Sequence, residues 1–147
     1  MSSVVILGAK RTALGALLGQ FSGVPATQLG ATAIKAALEH ANLSGERVDE
    51  VIMGCVLPAG LGQAPARQAA LGAGIPAKAG ATTINKVCGS GMKAVMFGHD
   101  LIKAGSAEVV IAGGMESMTN APHLLMNSRT GIRYGSAEML DHMAWDG

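Results

Sequence analysis

Four short runs of mostly β-branched residues, VVIL at 4–7, VIM at 51–53, TTI at 82–84 and VVIA at 109–112, alternate with stretches of helical periodicity. That alternation restricts the chain to an α/β layer structure, helix–sheet–helix, with a mixed but mostly parallel sheet and right-handed crossovers. Each run is nearly continuous in apolar character, the pattern of a strand covered on both faces.

The intervening stretches predict three helices. The first covers about residues 27–41, where Leu29, Ala33, Ala36 and Ala37 recur at helical spacing after Pro25, with an exit at Gly45. A second, at 65–72, opens on Pro65 in the tolerated first turn and is rich enough in alanine to approach a neighbour closely. The third spans about 88–104 and stops at Gly105, which suits a left-handed cap. Met92, Val95, Met96, His99 and Ile102 form its stripe, leaving only a narrow polar strip, so this helix is expected to be mostly buried. From residue 119 onwards the periodicity fades into a loop-rich segment containing Pro122, Gly131 and Gly135.

Charged residues make up 14% of the chain, against about 25% in an ordinary soluble domain, and the mean hydropathy is +0.35. A surface so poor in charge is expected to be covered by another part of the protein. Because the pattern also stops after its fourth strand, we expect a piece of a longer polypeptide. The formal net charge is +1, without a basic cluster, and aromatic residues are only 3%, so nucleic acid is excluded as a partner. No apolar run approaches the roughly 18 residues of a membrane span, which makes a cytoplasmic location the default.

Two cysteines, Cys55 and Cys88, lie 33 residues apart (88 − 55 = 33) and have no zinc-ligand spacing, so no metal is expected. Cys88 sits where a strand turns into a helix, in NKVCGSGMKA (85–94), with Gly89 and Gly91 beyond it. A thiol at such a corner is a candidate nucleophile: unpaired N–H groups and the helix dipole favour the thiolate, and the same N–H groups offer an oxyanion site. The residues alone leave open that Cys88 is a small buried hydrophobe. For Cys55, flanked by Gly54 and Val56 at the end of a strand, the structural reading is preferred. Glu116 and Arg67 are further polar candidates, with a buried ion pair or a helix cap as the plainer use of each.

Four stretches together, VVILGAKRTALG (4–15), VIMGCVLPAGLGQAPARQAALGAGIP (51–76), NKVCGSGMKA and VIAGGMESMTNAPH (110–123), resemble the thiolases, most closely the biosynthetic acetoacetyl-CoA thiolases, along essentially the whole chain. The resemblance implies the first half of a thiolase fold. Residues 1–117 would form an incomplete N-terminal half-domain, and 118–147, including RTGIRYG (129–135), would begin an inserted loop domain.

It further implies a reversible Claisen condensation of two acetyl-CoA molecules to acetoacetyl-CoA and CoA, with Cys88 as the acylated residue and no cofactor beyond the coenzyme A thioesters themselves. A homo-oligomer, dimer or tetramer, is expected. The family's activating histidine and second cysteine lie in Gly-His-Pro and Cys-Gly-Gly motifs that do not occur in these 147 residues, so the chain alone is expected to be inactive. The residues contacting coenzyme A are left unassigned. Ketoacyl synthases also place a cysteine at such a corner, but PARQA and AGGMESM favour thiolase. A non-catalytic fragment using Cys88 structurally is the remaining alternative.

His99 follows Cys88 by 11 residues (99 − 88 = 11), about 16 Å along a helix, which is too far for it to act as the base. It reads as a core or interface residue, and His40 as a surface or capping one. Spacing places neither His123 nor His142.

Overall fold

The computed structural model describes residues 3–147. Helix α1 (Ala26–His40) begins on Pro25 and buries Ala26, Gly30, Ile34 and Leu38, one residue per turn along a single line. The helix ends at Ala41, before the expected Gly45. Asn42 turns the chain at φ 50°, and Gly45 instead opens a short 3-10 turn. Strand β1 (Glu50–Gly54) leads to α2 (Pro65–Gly72), and β2 (Gly80–Ile84) to α3 (Ser90–Ala104), which is followed by β3 (Val110–Gly114).

The three strands form one parallel sheet in the order β2-β1-β3, with Met53 of the central strand opposite Thr83 and Gly113. Alternation along β1 divides its side chains between two layers. Val51, Met53 and Cys55 enter the core built with α1 and α2, whereas Ile52 faces the other side. The α1–α2 crossing is lined by small residues: Ala66, Ala69 and Ala70 are fully buried, and a methyl on Gly30 would sit 3.3 Å from the Ala69 Cβ. The alanine-rich approach expected of α2 is thus realised against α1.

Helix α3 packs on the opposite face, against β1 and β3. Its buried residues are Ser90, Ala94 and Gly98, spaced by one turn. This overturns the expectation that the helix is mostly buried through its bulky stripe. Small residues let the helix axis come close to the sheet, so the stripe of Met92, Val95 and Met96 is turned outward, with Met92 74% exposed. Gly105 caps the helix at φ 75°, as the sequence suggested.

A second correction concerns residues 4–7, which form no strand. Val5, Ile6 and Leu7 are exposed, and the neighbouring Gly8 lies against Ala37 of α1 and its C-cap residue Ala41 instead of at a sheet margin. A strand exists only through its ladder, and among the described residues nothing pairs with this run or with the outer edge of β3. After β3, strands β4 (His123–Leu125) and β5 (Met139–Asp141) make a separate antiparallel pair, and a short helix α4 (His142–Asp146) follows. No helix among the described residues is long and apolar enough to cross a membrane.

Candidate active site

The carboxyl ends of the three parallel strands converge on one edge of the sheet, the edge at which open α/β sheets hold their ligands. Here the Cys55 N–H donates to the Ile84 carbonyl at 3.0 Å and the Met115 N–H to the Gly54 carbonyl at 2.9 Å, so the ladder is carried one residue past the strands. Three chemically distinctive residues emerge from these ends: Cys55 after β1, Cys88 after β2 and Glu116 after β3.

Cys88 is exposed. It precedes the N-cap residue, Gly89, and helix α3 starts at Ser90, two residues later than the sequence indicated. The residue before it, Val87, has φ 49°, a left-handed backbone that a β-branched side chain rarely tolerates. The corner is fastened from both sides. Asn85 Oδ1 accepts the Val87 N–H at 2.8 Å. Ser90 Oγ accepts the Lys86 N–H at 2.8 Å and donates to the Val87 carbonyl at 2.6 Å. The N–H groups of Gly89 and Ser90 donate to the carbonyls of Lys86 and Val87, both at 3.1 Å. Those two donors are therefore consumed by the turn, which narrows the expected oxyanion site to other N–H groups.

Cys55 is 1% exposed and belongs to the core. Its thiol donates to Glu116 Oε1 at 3.6 Å, while that carboxylate accepts the N–H groups of Val56 at 2.8 Å and Leu57 at 2.9 Å. Burial, reinforced by the Glu116 charge and hydrogen bond, pushes the Cys55 thiol up to about 12. A thiol so held stays protonated at neutral pH and is a poor nucleophile. The structural reading of Cys55 holds. Among the described residues Glu116 takes neither of the plainer uses, pairing with no cation and capping no helix; it fastens the loop that follows β1.

Arg67 departs from expectation as well. Its Nη1 is buried and has no hydrogen-bond partner among the described residues. His40 is exposed in the last turn of α1, as a surface residue should be. His99 is exposed beside Asp100, at 3.1 Å, and so is not a core residue of this chain. His142 is 5% exposed: Nδ1 lies 2.6 Å from Asp146 Oδ2, and Nε2 accepts the Ala59 N–H at 3.4 Å. This ties α4 to the loop that Glu116 holds from the other side. The i, i+4 spacing of His142 and Asp146 was the only signal of that contact in the sequence.

Sequence reasoning also missed the role of Gly54. A Cβ there would lie 2.6 Å from the Ser90 Cβ and 2.8 Å from the Gly91 nitrogen. Only glycine lets α3 begin against β1, and only that placement buries Ser90 beneath the corner. Gly91 is less constrained, since a Cβ on it would meet Gly113 at an ordinary 3.7 Å. An open groove of about 570 Å³ lies between β2 and α3, lined by residues that include Ile52, Phe97 and Leu101, but Cys88 is not part of its wall.

A parallel sheet whose carboxyl edge presents one exposed thiol from a strained strand-to-helix turn, while sealing a second thiol in the core, defines an α/β fold built around a single accessible cysteine. The family model described as the thiolase N-terminal domain matches residues 4–147, and the chain belongs to the thiolase family. It is 57% identical, over its full length, to an acetyl-CoA acetyltransferase of Cupriavidus necator, and 55% identical, over 98% of its length, to acetyl-CoA acetyltransferase 2 of Arabidopsis thaliana. The structure superposes with a TM-score of 0.93 on a thiolase from Ascaris suum crystallised with coenzyme A, at 37% identity and covering 97% of this chain. The chain spans 36–37% of the length of these proteins. The thiolase reading of PARQA and AGGMESM is thereby preferred over a ketoacyl synthase.

Proposed function

We propose that this chain supplies the acyl-carrying half of an acetyl-CoA acetyltransferase, with Cys88 as the residue that becomes acetylated. The supporting observation is the contrast between its two thiols: Cys88 is exposed at a strained corner on the ligand edge of the sheet, and Cys55 is buried and held protonated. The names of the relatives supply the substrate class.

In the first step the Cys88 thiolate attacks the carbonyl carbon of acetyl-CoA. The new sulfur–carbon bond forms as the bond to the coenzyme sulfur breaks, and coenzyme A leaves carrying the proton that the Cys88 thiol gave up. In the second, the α-carbon of another acetyl-CoA, having lost a proton to a base, attacks the Cys88 thioester. Acetoacetyl-CoA departs and the thiol is regenerated. Neither step calls for a metal or redox group. The histidine and second cysteine that the family resemblance assigns to these proton transfers have no motif within the 147 residues, so this chain alone does not complete the condensation.

The remaining parts of the reading are a cytoplasmic homo-oligomer and a boundary near residues 117 and 118. The separate β4–β5 pair and the outward apolar stripe of α3 support the boundary and the assembly respectively. The test is peptide mass analysis after the native polypeptide that contains these residues is incubated with acetyl-CoA. An acetyl group on Cys88, released by free coenzyme A, is the expected result. An unmodified Cys88 in folded, assembled protein overturns the reading.

A further inference from the structure

We propose that Ser90 is the positioning residue of the Cys88 corner: its buried hydroxyl locks Val87 in the left-handed backbone that holds the Cys88 sulfur outward for acyl transfer. The inference rests on Cys88 being the acyl carrier, and it adds a residue whose side chain does not itself touch the substrate.

Two observations carry it. First, Val87 has φ 49°, and a β-branched residue persists there only when its surroundings over-determine the conformation. Second, both polar groups of that residue are engaged by side chains of its own turn. Asn85 Oδ1 takes the Val87 N–H, and Ser90 Oγ donates to the Val87 carbonyl while accepting the Lys86 N–H. The two anchors differ in character. Asn85 is exposed and can move, whereas Ser90 is 4% exposed and is set against β1 at the spot where Gly54 has no side chain.

The line of support therefore runs from the rigid central strand through Gly54 and Ser90 to Val87 and the sulfur. A helix could begin at Ser90 without a strained residue ahead of it, since the first-turn N–H groups of a helix need no such geometry. What the strained geometry adds is the direction in which residue 88 leaves the turn. When Ser90 loses its hydroxyl, the Val87 carbonyl keeps only the Ser90 backbone N–H and the Lys86 N–H loses its acceptor, so the lock loosens, Val87 relaxes and the sulfur swings from its place.

The test compares wild type with Ser90→Ala, Asn85→Ala and Asn85→Ser in the native polypeptide, using Cys55 as an internal control because burial shields it from reagents. For Ser90→Ala, the rate of Cys88 acetylation at saturating acetyl-CoA is expected to fall about tenfold to a hundredfold, the loss that small misplacements of a reacting group bring. The half-saturating acetyl-CoA concentration stays within about twofold, since binding is untouched. Alkylation of Cys88 by iodoacetamide slows as well, while Cys55 remains unlabelled. Asn85→Ala gives a smaller loss, which Asn85→Ser partly restores, because serine can accept the same turn hydrogen bond more weakly.

Wild-type rates in Ser90→Ala overturn the inference. So does a loss that tracks the appearance of labelled Cys55, which would mean that Ser90 merely supports folding. If wild-type Cys88 takes no acetyl group, it is the acyl-transfer reading that fails. The alkylation comparison then decides the role of Ser90 by itself: a slowed Cys88 upholds it and an unchanged one overturns it.

Discussion

The Cβ of Ser90 lies 2.6 Å from the point where a Cβ on Gly54 would stand. The first turn of α3 thus occupies space that any other residue at position 54 would claim. Gly54→Ala forces the helix off the sheet or β1 out of register. The expected cost is about 1–3 kcal/mol, as for other overpacked cores, read as a lower urea midpoint at an unchanged slope.

Removing the nucleophile has a different signature. Cys88 is exposed and its side chain makes no hydrogen bond within the described residues. Cys88→Ala should therefore change stability by no more than about 0.5 kcal/mol. Acetyl incorporation from acetyl-CoA, followed by peptide mass, should vanish altogether. A variant that still acquires the label on another residue would show that position 88 is not the carrier.

The buried thiol imposes a pH dependence with a definite sign. Burial, helped by Glu116, raises the Cys55 thiol in the folded protein from its ordinary 9.0 to about 12. Below 9.0 both states hold the proton, and the contribution of the protonated thiol to stability is fully present. As the pH climbs from 9.0 towards about 12 only the folded state retains it, so stability declines. Chemical unfolding of wild type and Cys55→Ala across this window should show a steeper alkaline decline for wild type. Parallel curves would contradict the assignment.

Glu116, just past the carboxyl end of the neighbouring β3, holds the loop that follows β1. Glu116→Ala leaves the N–H groups of Val56 and Leu57 without their acceptor, at an expected cost of about 1–3 kcal/mol for each that stays dry. It also removes two of the influences that raise the Cys55 thiol. Thiol-reactive labelling at mildly alkaline pH should therefore reach Cys55 sooner in the variant, a gain measurable by peptide mass.

The outward stripe of α3 predicts association. Met92, Val95 and Met96 are 74%, 48% and 51% exposed on one helix, and patches of this kind mark contact surfaces. The 147-residue chain by itself should bind a hydrophobic dye and sediment as more than a monomer. Met92→Gln with Met96→Gln should reduce both effects, because neither residue contributes to the core.

The sequence was readable wherever local pattern and tertiary environment agree. Three of the four apolar runs became neighbouring strands, since each met a partner of equal length, and Gly105 capped α3 through its freedom at positive φ. Residues 4–7 failed because a strand is a property of two segments, and the run alone does not reveal whether a partner is present. The burial of α3 failed for the opposite reason. A stripe of large residues looks like a core face, yet Ser90, Ala94 and Gly98 win by permitting a closer approach to the sheet. The position of Cys88 was legible from its glycine-flanked corner. The lock beneath it was not, because Asn85, Ser90 and Gly54 act through contacts that only folding creates.

Among the described residues both flanks of the three-stranded sheet are open, β2 on one side and β3 on the other, and neither GATTI nor VIAGG contains a charge or a proline to deter a stranger. During biosynthesis such a sheet would offer two adhesive margins to every similar molecule nearby. The yield of the chain in a cell would then depend on holding chaperones and on slow, dilute refolding as much as on the free energy of the finished fold.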